Sequence, residues 1–242
     1  MIIKPEIFEK FENVICAVST RQGGVSEEPF GMNLSYKVGD EREAVKRNRY
    51  LFFSRIGIQD SNVVTQGQTH SANIALCEKP AHLQDNDGLY TFKRNLFLAV
   101  TIADCIPVFI YCSEKNIVAA VHSGWKGTAK AIVKVMINEL KAKHSVNPES
   151  IFCYLGPGIS VKHYEVGKET AEYFSDEVIE IRGGKIYLDL KKEIYRQLTD
   201  TGIPESNIEI SEYCTFERAD LFHSYRRDGN KSGRMMGVIG LI

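Results

Sequence analysis

Residues 97–127 read FLAVTIADCIPVFIYCSEKNIVAAVHSGWKG, and their pattern decides the fold. Three apolar, β-branched runs, 97–103, 106–111 and 117–122, are separated by short polar breaks. Runs of that length, apolar throughout and not alternating, read as buried strands. Polar side chains fall at their ends, with Asp104 and Cys105 between the first two and His122 closing the third. After the GlyTrpLysGly turn, Ile132, Val135, Met136 and Leu140 recur at helical spacing. They predict a helix over 128–143, with Thr128 as its cap.

Outward from this block, residues 14–20, 62–66 and 151–155 read as further strands, and 235–242 as a closing strand. RQGGVSEEPFGMN (21–33) is rich in turn residues and reads as a loop. A helix is expected over 41–56, capped by Asp40, with Ala44, Val45, Leu51, Phe52 and Ile56 on its apolar side. Others are expected near 167–180 and over 189–200, the latter with Leu190, Ile194 and Leu198 on one face and Gly202 beyond its end. Strands and helices mix without strict alternation, which points to an α+β fold. The sequence shows no repeat, low-complexity tract or Pro/Gly/Ser linker. The expectation is therefore one domain over 1–242, with mixed β-sheets covered by helices.

At 242 residues, 43% hydrophobic and 25% charged, the chain has ordinary globular composition and material for a sizeable core. A formal net charge of -1 gives no overall basic excess for a nucleic-acid or membrane partner. The first residues, MIIKPEIFEKFENVICAVSTR, lack a basic start, an apolar run and a small-residue cleavage site, and no apolar stretch is long enough to span a bilayer. A cytoplasmic, reducing location is expected. Six cysteines include no CxxC pair, so neither a zinc ribbon nor a thioredoxin-type motif is present.

Three segments carry candidate chemistry: TQGQTHS (65–71), TIADCIP (101–107) and VHSGWKG (121–127). Each sets a potential metal ligand, His70, Cys105 or His122, beside a turn or at a strand end. Two imidazoles and a thiolate suit zinc, and three protein ligands leave a position for water or substrate. Taken singly, each residue has a plainer reading, because a histidine or cysteine at a strand end is ordinarily structural. The residues also leave a second chemistry open, with Cys105 as nucleophile and His122 or His70 as base. Lys126, at the turn into the expected helix, is a candidate phosphate ligand. So are Arg226, in SerTyrArgArgAspGly (224–229), and Arg21, in SerThrArgGlnGlyGly (19–24). Lys231 and Arg234 extend that second basic cluster.

The ordered set STRQGGVS (19–26), GMNLS (31–35), VGD (38–40), Asn48 with Arg49, QTHS (68–71), DGLYT (87–91), TIADCIPV (101–108), AAVHSGWKGT (119–128), YLGPGIS (154–160), YEVG (164–167), LDL (188–190) and CTFERADLFHSYRRDG (214–229) resembles the laccase-domain family. This is also called the polyphenol oxidase or peptidoglycan-editing-factor family, whose newer members are described as purine nucleoside phosphorylases. The resemblance runs almost end to end. It implies zinc on His70, Cys105 and His122, the same three residues suggested by their types and places beside turns and strand ends, although their spacings match no short zinc motif. Two small departures are Lys126, where many relatives carry arginine, and Gly158, where many carry cysteine.

The resemblance implies phosphorolysis of adenosine, inosine, guanosine or methylthioadenosine to the free base and ribose 1-phosphate, with adenosine deamination as an added activity. The expected partners are a purine nucleoside and phosphate. Asp104 is the candidate proton carrier, or a residue that orients a ligand. Arg21, Asn33, Lys126 and Arg226 are the candidate substrate or phosphate contacts. An alternative is a muropeptide amidase using the same zinc centre. Copper is the poorer metal candidate: none of the six histidines forms a His-x-His pair, and multicopper oxidases need further histidine-rich sites. A binding module with a purely structural metal would require a fourth protein ligand.

Overall fold

The computed structural model describes residues 2–242. The runs of the opening block form strands Phe97–Ile102, Ile106–Cys112 and Ile117–Ser123. They do not share one sheet. The first lies in a six-stranded sheet ordered Ile2–Ile3, Val14–Ser19, Met235–Leu241, Phe97–Ile102, Val63–Gln66, His82–Leu83. The other two lie in a second six-stranded sheet ordered Ile208–Ile210, Ile151–Leu155, Ile106–Cys112, Ile117–Ser123, Gly88–Thr91, Ile74–Leu76. The chain therefore crosses from sheet to sheet within Ala103–Asp104–Cys105, and Asp104 takes a positive φ of 89° at the corner. A smaller three-stranded sheet joins Glu165–Val166, Lys185–Leu188 and Ile179–Arg182.

The apolar runs alternate in destination and not in polarity. Leu98, Val100 and Ile102 meet Phe109, Tyr111, Val118 and Ala120 in the core between the two large sheets. Phe97 and Ala99 turn the other way, toward Phe52 and Phe53 of the helix Arg42–Arg55. Ile106, Val108, Ile110, Ala119 and Val121 face the helices Ile132–His144 and Leu190–Thr199. Helix, sheet, sheet and helix pair make four layers, so both faces of the central strands are dry. That is why the strands carry no polar alternation. The architecture is α+β, as expected.

Three helix expectations need correction. The helix expected over 128–143 is two pieces, Trp125–Ala129 and Ile132–His144, broken where Ala131 adopts φ 53°. Thr128 is therefore inside the first piece and not at a cap. Its hydroxyl donates to Gly124 O at 3.0 Å, and its carbonyl accepts from Gln197 Nε2 at 2.8 Å. Asp40 does not cap Arg42–Arg55; its carboxylate accepts from Ser26 Oγ and Asn33 Nδ2, both at 2.8 Å, and so ties the loop at 21–33 to the segment before the helix. The helix expected near 167–180 is one short helix, Lys168–Ala171, followed by a strand at Ile179–Arg182. Gly183 and Gly184, at φ 58° and 77°, turn that strand into its partner, with Arg182 opposite Lys185. A two-residue GlyGly turn between β-branched runs is a hairpin signal, and it outweighs the helical spacing before it. The helix over 189–200 forms as Leu190–Thr199, with Asp189 Oδ1 accepting from Lys192 N at 2.9 Å.

No helix among the described residues is long and apolar enough to cross a membrane.

Candidate metal centre

The corner between the two sheets assembles the site. Cys105 stands at the crossing, immediately before Ile106 opens its strand. His122 lies opposite Pro107 on the neighbouring strand, on the same face as Val118 and Ala120. His70 comes from the loop after Val63–Gln66, with a positive φ of 59° that swings its ring inward. One ligand atom from each of these three residues lies within 4.8 Å of the others. Cys105 Sγ is 3.8 Å from His70 Nε2, and the two imidazole centroids are 5.0 Å apart. Tetrahedral zinc with sulfur and nitrogen ligands sets neighbouring donors roughly 3.6 Å apart, so the donor set and its spacing both fit such an ion. Among the described residues this is the one group of three His, Cys, Asp or Glu side chains placed to hold a metal.

A carboxylate outside the cluster holds it in place. Asp87 is fully buried. Its Oδ1 accepts from His122 Nδ1 at 2.8 Å and from His70 N at 3.1 Å. Its Oδ2 accepts from Ser71 N at 2.7 Å, Ser71 Oγ at 2.8 Å and Thr69 N at 3.1 Å. With Nδ1 occupied, His122 presents Nε2 to the cluster, and the carboxylate fixes both tautomer and ring plane. Burial alone would raise the Asp87 pKa, but the hydrogen bonds from His122 and Ser71 win and hold it well below the usual carboxylate range.

Cys105 and His122 each draw the other toward its charged form. Burial works against both charges, yet their mutual attraction dominates. The Cys105 thiol is drawn down to about 6, helped by His70, and the His122 imidazolium is held up to about 9, helped by Asp87. Gly124 closes the approach: a Cβ there would stand 2.7 Å from Cys105 Sγ and 2.8 Å from His70 Cδ2.

The cluster opens into a cleft of about 820 Å³. Lys37, Arg49, His82 and Arg234 line it together with Gln68, Thr101 and Tyr225, and no Asp or Glu does. Gln68 is fixed by Thr101, whose N and Oγ both donate to Gln68 Oε1 at 2.8 Å.

His70, Cys105 and His122 thus come together, and the other expected site residues stand elsewhere. Asp104 is next to the cluster, but its carboxylate accepts from Thr215 Oγ1 and from Arg226 N, both at 2.7 Å, and does not line the cleft. That placement suits orienting Cys105, not carrying a proton to substrate. Asn33 is fully buried, its amide bonded to Ser35 O, Asp40 Oδ2, Ser35 N and Arg234 N. Arg21 donates to Ala219 O, Pro29 O and Glu28. Arg226 donates to Glu165 O, and Lys126 is exposed with its ammonium 5.5 Å from the Trp125 ring. None of these four lines the cleft. Asp87 and Arg49 were visible only as members of the motifs DGLYT and Asn48–Arg49. Nothing in their local sequence marks them as site residues.

A family model described as multi-copper polyphenol oxidoreductase laccase matches residues 15–242. A Bacillus subtilis protein named purine nucleoside phosphorylase YlmD is 32% identical, the match covering 95% of this chain and 89% of the relative. A Haemophilus influenzae protein named purine nucleoside phosphorylase is 34% identical over 94% of each chain. The crystal structure of YlmD from Geobacillus stearothermophilus superposes with a TM-score of 0.92 at 29% identity, covering 96% of this chain and 93% of that one. On the match over residues 15–242, this chain belongs to the family described as multi-copper polyphenol oxidoreductase laccase.

Proposed function

We propose that this chain is a cytoplasmic, zinc-dependent purine nucleoside phosphorylase, its whole length acting as one catalytic domain. The observation that carries the reading is the His70–Cys105–His122 cluster opening into a cleft lined by basic side chains and by no carboxylate. Such a cleft favours an anionic co-substrate. Relatives named purine nucleoside phosphorylase, 32% and 34% identical over nearly the full chain, support the substrate class. The substrates are adenosine, inosine, guanosine and methylthioadenosine, with adenosine deamination as a second activity of the same cleft.

In phosphorolysis an oxygen of hydrogen phosphate bonds C1′ as the C1′–N9 bond breaks. The bonding pair leaves with the purine, which takes up the phosphate's proton. His70, Cys105 and His122 would hold the zinc ion, which would supply a Lewis acid to this centre. The chain's own residues do the rest. Asp87 fixes the His122 imidazole at Nδ1 and the His70 main chain at N, and the basic lining raises the local concentration of phosphate. A cleft of about 820 Å³ has room for nucleoside and phosphate together. The supply of ligands favours zinc over multicopper chemistry, because the described residues offer one three-ligand group. A thiolate ligand also suits a reducing compartment.

The test is to incubate zinc-loaded protein with adenosine and inosine, with and without phosphate, and to separate the products chromatographically. Adenine or hypoxanthine released only with phosphate, and not by Cys105→Ala, is the expected result. Intact nucleosides in the presence of fully loaded protein would sink the purine reading and make muropeptide amide hydrolysis the next activity to assay.

A further inference from the structure

The four basic side chains of the cleft are not equivalent. Arg49 is already committed: Nη2 and Nε donate to Asp60 at 2.6 and 3.2 Å. Lys37 is exposed, and a mobile ammonium in water is a poor device for holding an anion in one orientation. His82 is tied at Nδ1 to Thr65 Oγ1 at 2.8 Å, and burial, with Lys37 and Arg49 nearby, lowers its pKa and disfavours its charged form. Arg234 differs from all three. It is partly buried, and its Nη1 alone is anchored, to Ser232 O at 2.7 Å and Gly233 O at 2.9 Å. The Tyr225 ring lies 5.5 Å from the guanidinium carbon, so one face is covered. The backbone is pinned on both sides: Arg234 N donates to Asn33 Oδ1 at 2.9 Å, and Arg234 O accepts from Leu34 N at 3.0 Å. Nε and Nη2 have no hydrogen-bond partner among the described residues, and they form one edge of the planar fork. The group lines the same cleft as His70, Cys105 and His122.

An arginine held by one nitrogen, with its other edge unpaired in a cleft without carboxylates, is built to grip an oxyanion through two parallel hydrogen bonds. We propose that Arg234 is the phosphate-positioning residue, its Nε/Nη2 edge holding two oxygens of the inorganic phosphate co-substrate beside the His70–Cys105–His122 cluster. The identity of the anion rests on the phosphorylase reading; the existence of an oxyanion site at Arg234 does not. The assignment also explains the buried Asn33. Its amide fixes the backbone of Arg234 and so aims the guanidinium without touching substrate.

The test compares wild type, Arg234→Gln and Arg234→Lys, each checked for bound zinc and for its thermal midpoint. Inorganic phosphate is titrated calorimetrically in the absence of nucleoside, and the KM for phosphate and for inosine are measured separately. The expected result for Arg234→Gln is phosphate binding weakened, and phosphate KM raised, roughly 10- to 100-fold, with inosine KM near wild type. Arg234→Lys recovers only part of this, because an ammonium keeps the charge and loses the fork. Wild type that binds no phosphate overturns the proposal. So does an Arg234→Gln variant, folded and zinc-loaded, that binds phosphate as wild type does or loses inosine and phosphate affinity alike. Wild type that binds phosphate through Arg234 but leaves nucleosides intact overturns the phosphorylase reading and supports the oxyanion site.

Discussion

Asp87 shows how much of this site is decided by a residue that never meets a ligand. It accepts from the loop at Thr69–Ser71 and from the His122 ring at once, so its loss loosens two of the three candidate metal ligands. Replacing it with Asn puts an amide N–H where an acceptor is needed. Asp87→Asn is expected to weaken zinc binding roughly 10- to 100-fold, read by competition with a chromophoric chelator. Gly124 acts by absence. Gly124→Ala sets a methyl group against Cys105 Sγ and His70 Cδ2, and it should abolish stoichiometric zinc while the circular dichroism spectrum stays native. The Cys105–His122 pair makes a pH prediction. With the thiol held down to about 6, metal-free protein carries a Cys105 thiolate at neutral pH. Alkylation by iodoacetamide should then rise through a midpoint near pH 6; a midpoint near 9, the ordinary thiol value, would dissolve the pair. Between those two pKa values His122 is the protonated partner, so zinc uptake should release a proton from His122 and none from Cys105.

At the scale of the element, the break at Ala131 is the clearest departure from sequence periodicity. Ile132, Met136 and Leu140 are all fully buried, so the apolar spacing did report a helix face, although Val135, counted with them, is exposed. Spacing carries no information on where the backbone must turn left. At Ala131 the main chain adopts φ 53°, a conformation that costs a residue with a Cβ about 1 kcal/mol relative to glycine. Ala131→Gly should therefore raise the melting temperature by roughly 2–4 °C, measured by differential scanning calorimetry. The cap at Asp189 was in reach of the sequence, since an aspartate directly precedes a periodic segment there. Asp40 precedes one as well and is drawn away by Ser26 and Asn33. Cap chemistry names candidates, and tertiary partners choose among them.

For the molecule as a whole, the two-sheet core is the source of stability and the His70–Cys105–His122 corner is its by-product. Phe109 sits fully buried between the sheets, stacked on Tyr154 with centroids 6.4 Å apart. Phe109→Ala removes a ring that no neighbour can replace, and it should cost about 3–5 kcal/mol in urea unfolding. That is a large share of the total stability of an ordinary domain.

The sequence by itself determined the strands of the core, because apolar runs buried on both faces have a composition no exposed segment can afford. It also named His70, Cys105 and His122 as candidate metal ligands, through their residue types beside turns and strand ends and through the family resemblance, although a histidine or cysteine in such a place is ordinarily structural when taken singly. Only the tertiary structure decided the rest. That the chain changes sheets at Asp104–Cys105, that Asp87 is the carboxylate behind both histidines, and that Arg234 lines the cleft when Arg21, Lys126 and Arg226 do not, are all matters of which distant segments meet. Strand order and register set those meetings through packing of whole faces, and no local pattern around a single charged residue encodes them.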